Sequence, residues 1–197
     1  MKARESGMPD EEQWESFFHP EEVLDLLELR DCRGDIVEFG CGYGTFTLAA
    51  APRCRGLIHA LDIDPEMITR VMQKARKACV SNIVVATRDF LVEGTGLGDA
   101  SCEYAMLFNI LHLAERETLL REAYRVLRPR GRLGVIHWNY DPATPRGPSM
   151  AIRPRPDDCQ RWVQNIGFEL PKSPIVMLPP YHYGFVAQKT AEAEASS

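Results

Sequence analysis

No stretch of this 197-residue chain approaches the ~18 consecutive apolar positions that a membrane-spanning helix needs, and the opening Met1-Lys2-Ala3-Arg4-Glu5-Ser6-Gly7 lacks the apolar segment of a secretory signal. Excess positive charge is missing too. The 23 Lys plus Arg against 28 Asp plus Glu leave a net charge of −5, which does not draw a protein to phosphate backbones. The six cysteines, Cys32, Cys41, Cys54, Cys79, Cys102 and Cys159, form no Cys-x-x-Cys pair. A chain of this length does not need disulfides to hold its core, so they read as reduced thiols with no structural zinc site. Internal repeats are absent, and the one low-complexity stretch is the tail 191–197, which reads as disordered. These absences leave a cytoplasmic protein for which neither a membrane nor nucleic acid is an expected partner.

What is present is 45% hydrophobic residues, enough for one globular domain, here placed over 1–190. Residues 1–30 form an aromatic and helical lead-in, with a helix from Pro20 to Leu29. From Asp35 short apolar runs alternate with amphipathic ones. Strands are expected at 36–39, 56–63, 83–87, 103–108 and 132–138, and helices at 43–51, 64–75 and 114–127. Asp64 caps the second of these helices and Pro65 takes its first position. Such alternation means parallel pairing with right-handed crossovers. Five prolines within 140–156 make a long loop. A last helix over 157–166 then precedes two β-rich runs, 175–178 and 181–189, around Pro179-Pro180. The expectation is an α/β fold of the Rossmann-like kind: a seven-stranded, mostly parallel sheet with an antiparallel C-terminal hairpin and helices on both faces.

The chemistry concentrates at Ile36-Val37-Glu38-Phe39-Gly40-Cys41-Gly42-Tyr43-Gly44-Thr45-Phe46, a buried strand entering a glycine-rich turn before a helix. Glycines remove side chains where a ligand must lie against the main chain, and the turn falls at the carboxyl end of a strand, where open α/β sheets bind ligands. A dinucleotide fingerprint would need its third glycine where Thr45 stands, which argues against a nicotinamide oxidoreductase. At this point the chain resembles the class I S-adenosylmethionine-dependent methyltransferases. Their acidic-x-Gly-x-Gly-x-Gly turn is matched from Glu38 to Gly44, and the further matching motifs lie within 36–133.

The resemblance implies S-adenosylmethionine as cofactor and S-adenosylhomocysteine as product, with Glu38, Gly40, Cys41, Gly42 and Gly44 at the turn. It gives Asp62, 18 positions beyond Gly44, the ribose hydroxyls, with Ile63 beside it. Asp89 takes the adenine amine, Phe90 lies by the ring, and Asn109 faces the methionine part. Departures are Glu103 for the usual Asp at the start of strand four and Arg130 for the first glycine of the turn before strand five. The Asn/Asp-Pro-Pro-aromatic motif of amino-nitrogen methylation is replaced by Phe108-Asn109-Ile110-Leu111.

A small-molecule methyl acceptor is therefore the expected partner, and no metal is expected. Proximity does most of the catalytic work. Where the acceptor must lose a proton, the candidate bases are His137, near the end of strand five, and His112, beyond strand four. A packed structural histidine is the alternative for each, and strand parity at His137 is open. Trp138, Asn139 and Tyr140 are candidate pocket walls. Trp14 to His19 and the 140–156 loop are candidate lids, with an ordinary staple and surface loop as the alternative. The rival functions are a non-catalytic S-adenosylmethionine-binding module and a protein or RNA methyltransferase; the acceptor atom and the oligomeric state are open.

Overall fold

The computed structural model describes residues 9–191, so the expected tail, Ala191 apart, and the start of the lead-in lie outside the described residues. The chain runs α1 (Glu11–Glu15), α2 (Pro20–Leu26), β1 (Asp35–Phe39), α3 (Thr45–Ala50), β2 (Ile58–Asp62), α4 (Pro65–Lys77), β3 (Ile83–Thr87), β4 (Cys102–Phe108), α5 (Arg116–Val126), β5 (Leu127–Trp138), α6 (Pro156–Ile166), β6 (Phe168–Glu169), β7 (Val176–Leu178) and β8 (His182–Lys189). One sheet has the order β3-β2-β1-β4-β5-β8-β6, with β7 also on β8. β1 to β5 pair in parallel, whereas β8 pairs antiparallel with β5, β6 and β7. The Rossmann-like mixed sheet is thus the expected one. The two-residue β6 makes it eight-stranded: Phe168 and Glu169 extend from the α6 stop at Gly167 onto the far end of β8.

Strand alternation splits the core between two faces. Val37, Phe39, Ala105, Leu107, Leu133, Val135, Tyr183 and Phe185 pack with α5 and α6. Ile36, Tyr104, Met106, Ile136 and Trp138 pack with α2 and α3 on the other face. α4 adds Ile68 and Val71 over Ala60 and Cys41. Its first turn is held as expected, the Asp64 carboxylate accepting from the Glu66 N–H at 2.9 Å with Pro65 next.

The two sequence departures prove to be structural. Glu103 accepts from the Arg33 and Gly34 N–H groups and pairs with Arg128 at 3.0 Å, so the longer acid ties the approach to β1 against β4. Arg130 sits at φ 61 inside an irregularity of β5, where the register runs from Cys102↔Leu127 to Tyr104↔Arg132. The left-handed conformation costs a side-chain-bearing residue about 1–2 kcal/mol. Since Arg130 is exposed, Arg130→Gly is expected to stabilise the fold by up to about 1 kcal/mol, once glycine's extra unfolded-state entropy is counted, and so to raise the thermal midpoint. A lowered midpoint in a melting curve would contradict this.

Candidate active site

β1 ends in Phe39, and the next residues turn sharply against β2: the Gly40 and Cys41 N–H groups both donate to the Leu61 carbonyl at 2.8 and 2.9 Å. Gly42 and Gly44 hold φ of 50 and 78, conformations that L side chains resist. Gly44 caps α3, and a Cβ there would fall 2.9 Å from Val71 Cγ2 of α4, so this glycine serves the close packing of two helices.

The turn frames a cavity of about 430 Å³ at the carboxyl ends of the parallel strands, within the ~300–1,000 Å³ of small-molecule sites. One side carries Asp62, Ile63 and Met67 from β2 and α4. Another carries Glu38, Gly40, Cys41, Gly42 and Thr45 from the turn. Beyond β3 and β4 come Phe90, Asn109 and His112, and Trp14 and Trp138 complete the wall. Of the residues expected at the cofactor, Glu38, Gly40, Cys41, Gly42, Asp62, Ile63, Phe90 and Asn109 line this space, as does the candidate base His112. Gly44, Asp89 and His137 do not.

Asp89 is half-buried at the head of a turn, its carboxylate accepting from the Leu91 N–H at 3.2 Å. His137 is 0% exposed. It shares its strand face with Leu133 and Val135, toward α5 and α6, and its ring lies 5.6 Å from His112 and 6.3 Å from Tyr183. Parity hands the cavity wall to the next residue, Trp138. Asn139 and Tyr140 lie outside the wall, as does the loop to Pro156. That loop is gathered on the buried Arg153, whose guanidinium donates to the carbonyls of Asn139, Asp141, Arg146 and Pro148. The N-terminal segment does reach the site. Glu11 pairs with Arg70 at 3.1 Å and with Lys74, Glu15 pairs with Lys74 at 3.0 Å, and the Tyr43 hydroxyl donates to the Pro9 carbonyl. These contacts hold α1 so that Trp14 closes one side.

The site's electrostatics follow from burial. Asp62 is 9% exposed, and its oxygens accept from the Gly42 and Asp64 N–H groups at 2.9 Å each. Burial nevertheless raises its pKa. Each oxygen keeps a further lone pair for a ligand hydroxyl. Glu38 accepts from the Thr47 hydroxyl, and burial pushes its pKa up to about 8. Desolvation lowers His112 to about 4 and His182 to about 3, and carries His137 well below 6.5. The Thr45 hydroxyl, both Asn109 side-chain polar atoms and His112 Nδ1 are buried with no hydrogen-bond partner among the described residues. Polar groups left so are costly in a protein interior. All three residues line the cavity, which fits a polar ligand such as S-adenosylmethionine, with Asp62 for two hydroxyls and the side-chain-free turn for a close approach.

These groups set the pH dependence of stability. Unfolding lets three buried histidines take up protons below about 6.5, so stability falls as pH drops from there toward 4. Glu38 keeps its proton to about 8 when folded but only to about 4.5 when unfolded, so its contribution falls as pH rises across that window. Each proton weighs about 1.4 kcal/mol per pH unit at most. Stability is therefore expected to peak near pH 6.5, with the steeper fall on the acid side, where three groups act against one. Urea midpoints at pH 5, 6.5 and 8 check this; a midpoint higher at pH 5 than at 6.5 would contradict it.

A family profile described as a methyltransferase domain matches residues 36–131. The chain is 34% identical over 120 residues to a ribosomal protein L11 methyltransferase of Methylococcus capsulatus, which covers 58% of this chain and 38% of that protein. It spans about two fifths of the length of the curated relatives it matches. Among solved structures it is similar to an S-adenosylmethionine-dependent methyltransferase from Aquifex aeolicus, with TM-score 0.78 and 22% identity over 91% of this chain and 93% of that one. It is also similar to the cyclase SpnF, with TM-score 0.74 and 17% identity over 87% and 81% of the two chains.

Proposed function

We propose that the chain, whose residues 36–131 match a methyltransferase-domain profile, is a class I S-adenosylmethionine-dependent methyltransferase that moves a methyl group from its cofactor, S-adenosylmethionine, to a small-molecule acceptor. The observation that carries the small-molecule reading is the closure of the cavity by Trp14: α1 is pinned across the site by Glu11 and Glu15 on Arg70 and Lys74. A side chain of a folded protein or a base of an RNA would have to displace this cover.

Bound in the cavity, S-adenosylmethionine supplies an electrophilic methyl on a sulfonium, open to in-line displacement by a nucleophile. Asp62 takes the ribose hydroxyls, Phe90 lies by the adenine, and Gly40, Cys41 and Gly42 let the ligand lie against the main chain. Glu38 and the backbone at Asn109 serve the methionine end. Trp14, Phe108 and Trp138 exclude water from the reacting atoms. His112 accepts the proton that the acceptor gives up as its new bond to carbon forms, leaving a neutral methylated product, an imidazolium and a thioether. His137, behind His112, positions that ring.

His112 is uncharged near neutral pH, because burial holds it at about 4, so its lone pair is available throughout that range. A base this weak works at the lower end of the usual range of acid–base effects. His112→Gln is expected to lower turnover by about 10²-fold, with the wild-type rate flat from about pH 5.5 to 7.5. An unaltered rate in the folded variant would leave positioning as the only catalytic device.

A second reading has its own support: the similar protein from Methylococcus capsulatus is named for methylating a ribosomal protein. Incubating the protein with methyl-labelled cofactor and cell extract separates the two. Label in the small-molecule fraction supports the proposal, whereas label confined to a protein band favours the second reading. Label in neither fraction, with cofactor bound, would leave a binding module.

A further inference from the structure

Among the described residues, the cavity wall carries carboxyl groups and no basic side chain to pair with an anion. Glu38, Asp62 and Asp64 line it, and none of the described residues on its wall is a lysine or an arginine. An acceptor bearing a carboxylate or phosphate would enter this space without a cation to meet it, and burying an unpaired charge costs several kcal/mol. A cationic acceptor is disfavoured for a different reason. The carboxyl groups stand on the turn, β2 and the start of α4, whereas Trp14, Phe46, Phe108, Ile110, Leu113 and Trp138 form an apolar part of the wall.

That second part of the wall is built of flat rings. Phe46 and Phe108 meet edge to face with centroids 4.8 Å apart, and Phe18 joins Phe46 at 5.1 Å and Trp14 at 5.0 Å. Such surfaces take a flat ring by offset or edge contacts. The polar atoms near them are few and specific. Asn109 brings one buried donor and one buried acceptor and His112 an unpartnered Nδ1, none satisfied among the described residues. One hydroxyl would accept from the Asn109 amide N–H and donate to His112 Nδ1. At about 430 Å³ for cofactor and acceptor together, the cavity leaves space for a small molecule only.

We infer that the methyl acceptor is a small, uncharged aromatic compound carrying a hydroxyl group, its ring held among Trp14, Phe46, Phe108 and Trp138 and its hydroxyl set between Asn109 and His112. This deepens the methyltransferase reading and rests on it. In the transfer the acceptor's O–H bond breaks, its proton goes to His112, and its oxygen gains the methyl as the bond between that carbon and the sulfonium breaks. The product is a neutral aryl methyl ether beside S-adenosylhomocysteine. Burial of the kind that keeps His112 uncharged also disfavours an unpaired ammonium at that wall.

Three probes share one phenol ring and differ in the charge of the para substituent: 4-ethylphenol (neutral), 4-hydroxyphenylacetate (anionic) and tyramine (cationic). Each is titrated at pH 7 into the protein saturated with S-adenosylhomocysteine, with binding read by ligand-observed NMR. The expected result is that 4-ethylphenol binds roughly tenfold or more tightly than either charged analogue. Trp14→Ala should weaken it by about tenfold. Equal binding of the three, tighter binding of a charged analogue, or no binding of 4-ethylphenol at millimolar concentration would overturn the inference. A protein that fails to bind S-adenosylhomocysteine would instead overturn the methyltransferase reading, and that titration is made first.

Discussion

Asp62→Ala is expected to weaken S-adenosylmethionine binding by about 10²- to 10⁴-fold while leaving the protein folded. Two hydroxyl donors would lose a charged acceptor, at about 1.5–3 kcal/mol for each bond. The effect on stability should be smaller, because two opposing changes accompany the loss. The Gly42 and Asp64 N–H groups lose the carboxylate that holds them at 2.9 Å, but burial already works against that carboxylate's charged form. Asp62→Asn keeps one acceptor oxygen and should fall between the wild type and the alanine variant. Calorimetric titration measures all three; an unchanged affinity in a folded Asp62→Ala protein would remove this residue from the site.

Gly44→Val carries the largest expected cost to stability, about 2–5 kcal/mol. Its backbone φ of 78 is one that a β-branched residue adopts only under strain, at about 1–2 kcal/mol. The added Cβ would then lie 2.9 Å from Val71 Cγ2, where α3 and α4 meet with no space to give, and overpacking of that kind adds about 1–3 kcal/mol. Chemical denaturation should show the midpoint falling by the corresponding amount. A wild-type midpoint would mean that the turn and α4 can move apart, and that Gly44 answers to something other than helix packing.

Gly44 also shows how sequence and structure divide the site. The glycine pattern names all three turn residues alike, yet Gly40 and Gly42 line the cavity and Gly44 packs against a helix, a distinction set by α4, which joins the fold some 20 residues later. The elements themselves were legible because their signals are local. Asp64 before Pro65 caps α4, and Gly167 stops α6 at φ 113. Strand β6 escaped because two residues make no pattern. β5 is longer than its apolar run because Leu127 already pairs with Cys102, before the Arg128–Gly131 irregularity.

In the site, Asp62 and Phe90 could be placed because they end runs that point at the ligand crevice. His137 could not, since β5 is buried on both faces and only the packing of Leu133 and Val135 on α5 and α6 reveals its side. Thr45 and Met67 line the cavity although the sequence pattern marks them only as helix residues. Thr45 had a usable signal in its place directly after the glycine turn. Trp14 owes its position to ion pairs between Glu11 or Glu15 and residues about 60 positions away, a contact that no local pattern records.

The central claim is that the cavity between the glycine turn and Asp62 is an S-adenosylmethionine site. Its most direct measurement is a titration of the unmodified protein with S-adenosylhomocysteine and, separately, with NAD, followed by amide chemical shifts. The expected result is saturable binding of S-adenosylhomocysteine alone, with the largest shifts at Gly40, Gly42, Asp62, Ile63, Phe90 and Asn109. Absence of binding, a preference for NAD, or shifts that bypass these residues would contradict it.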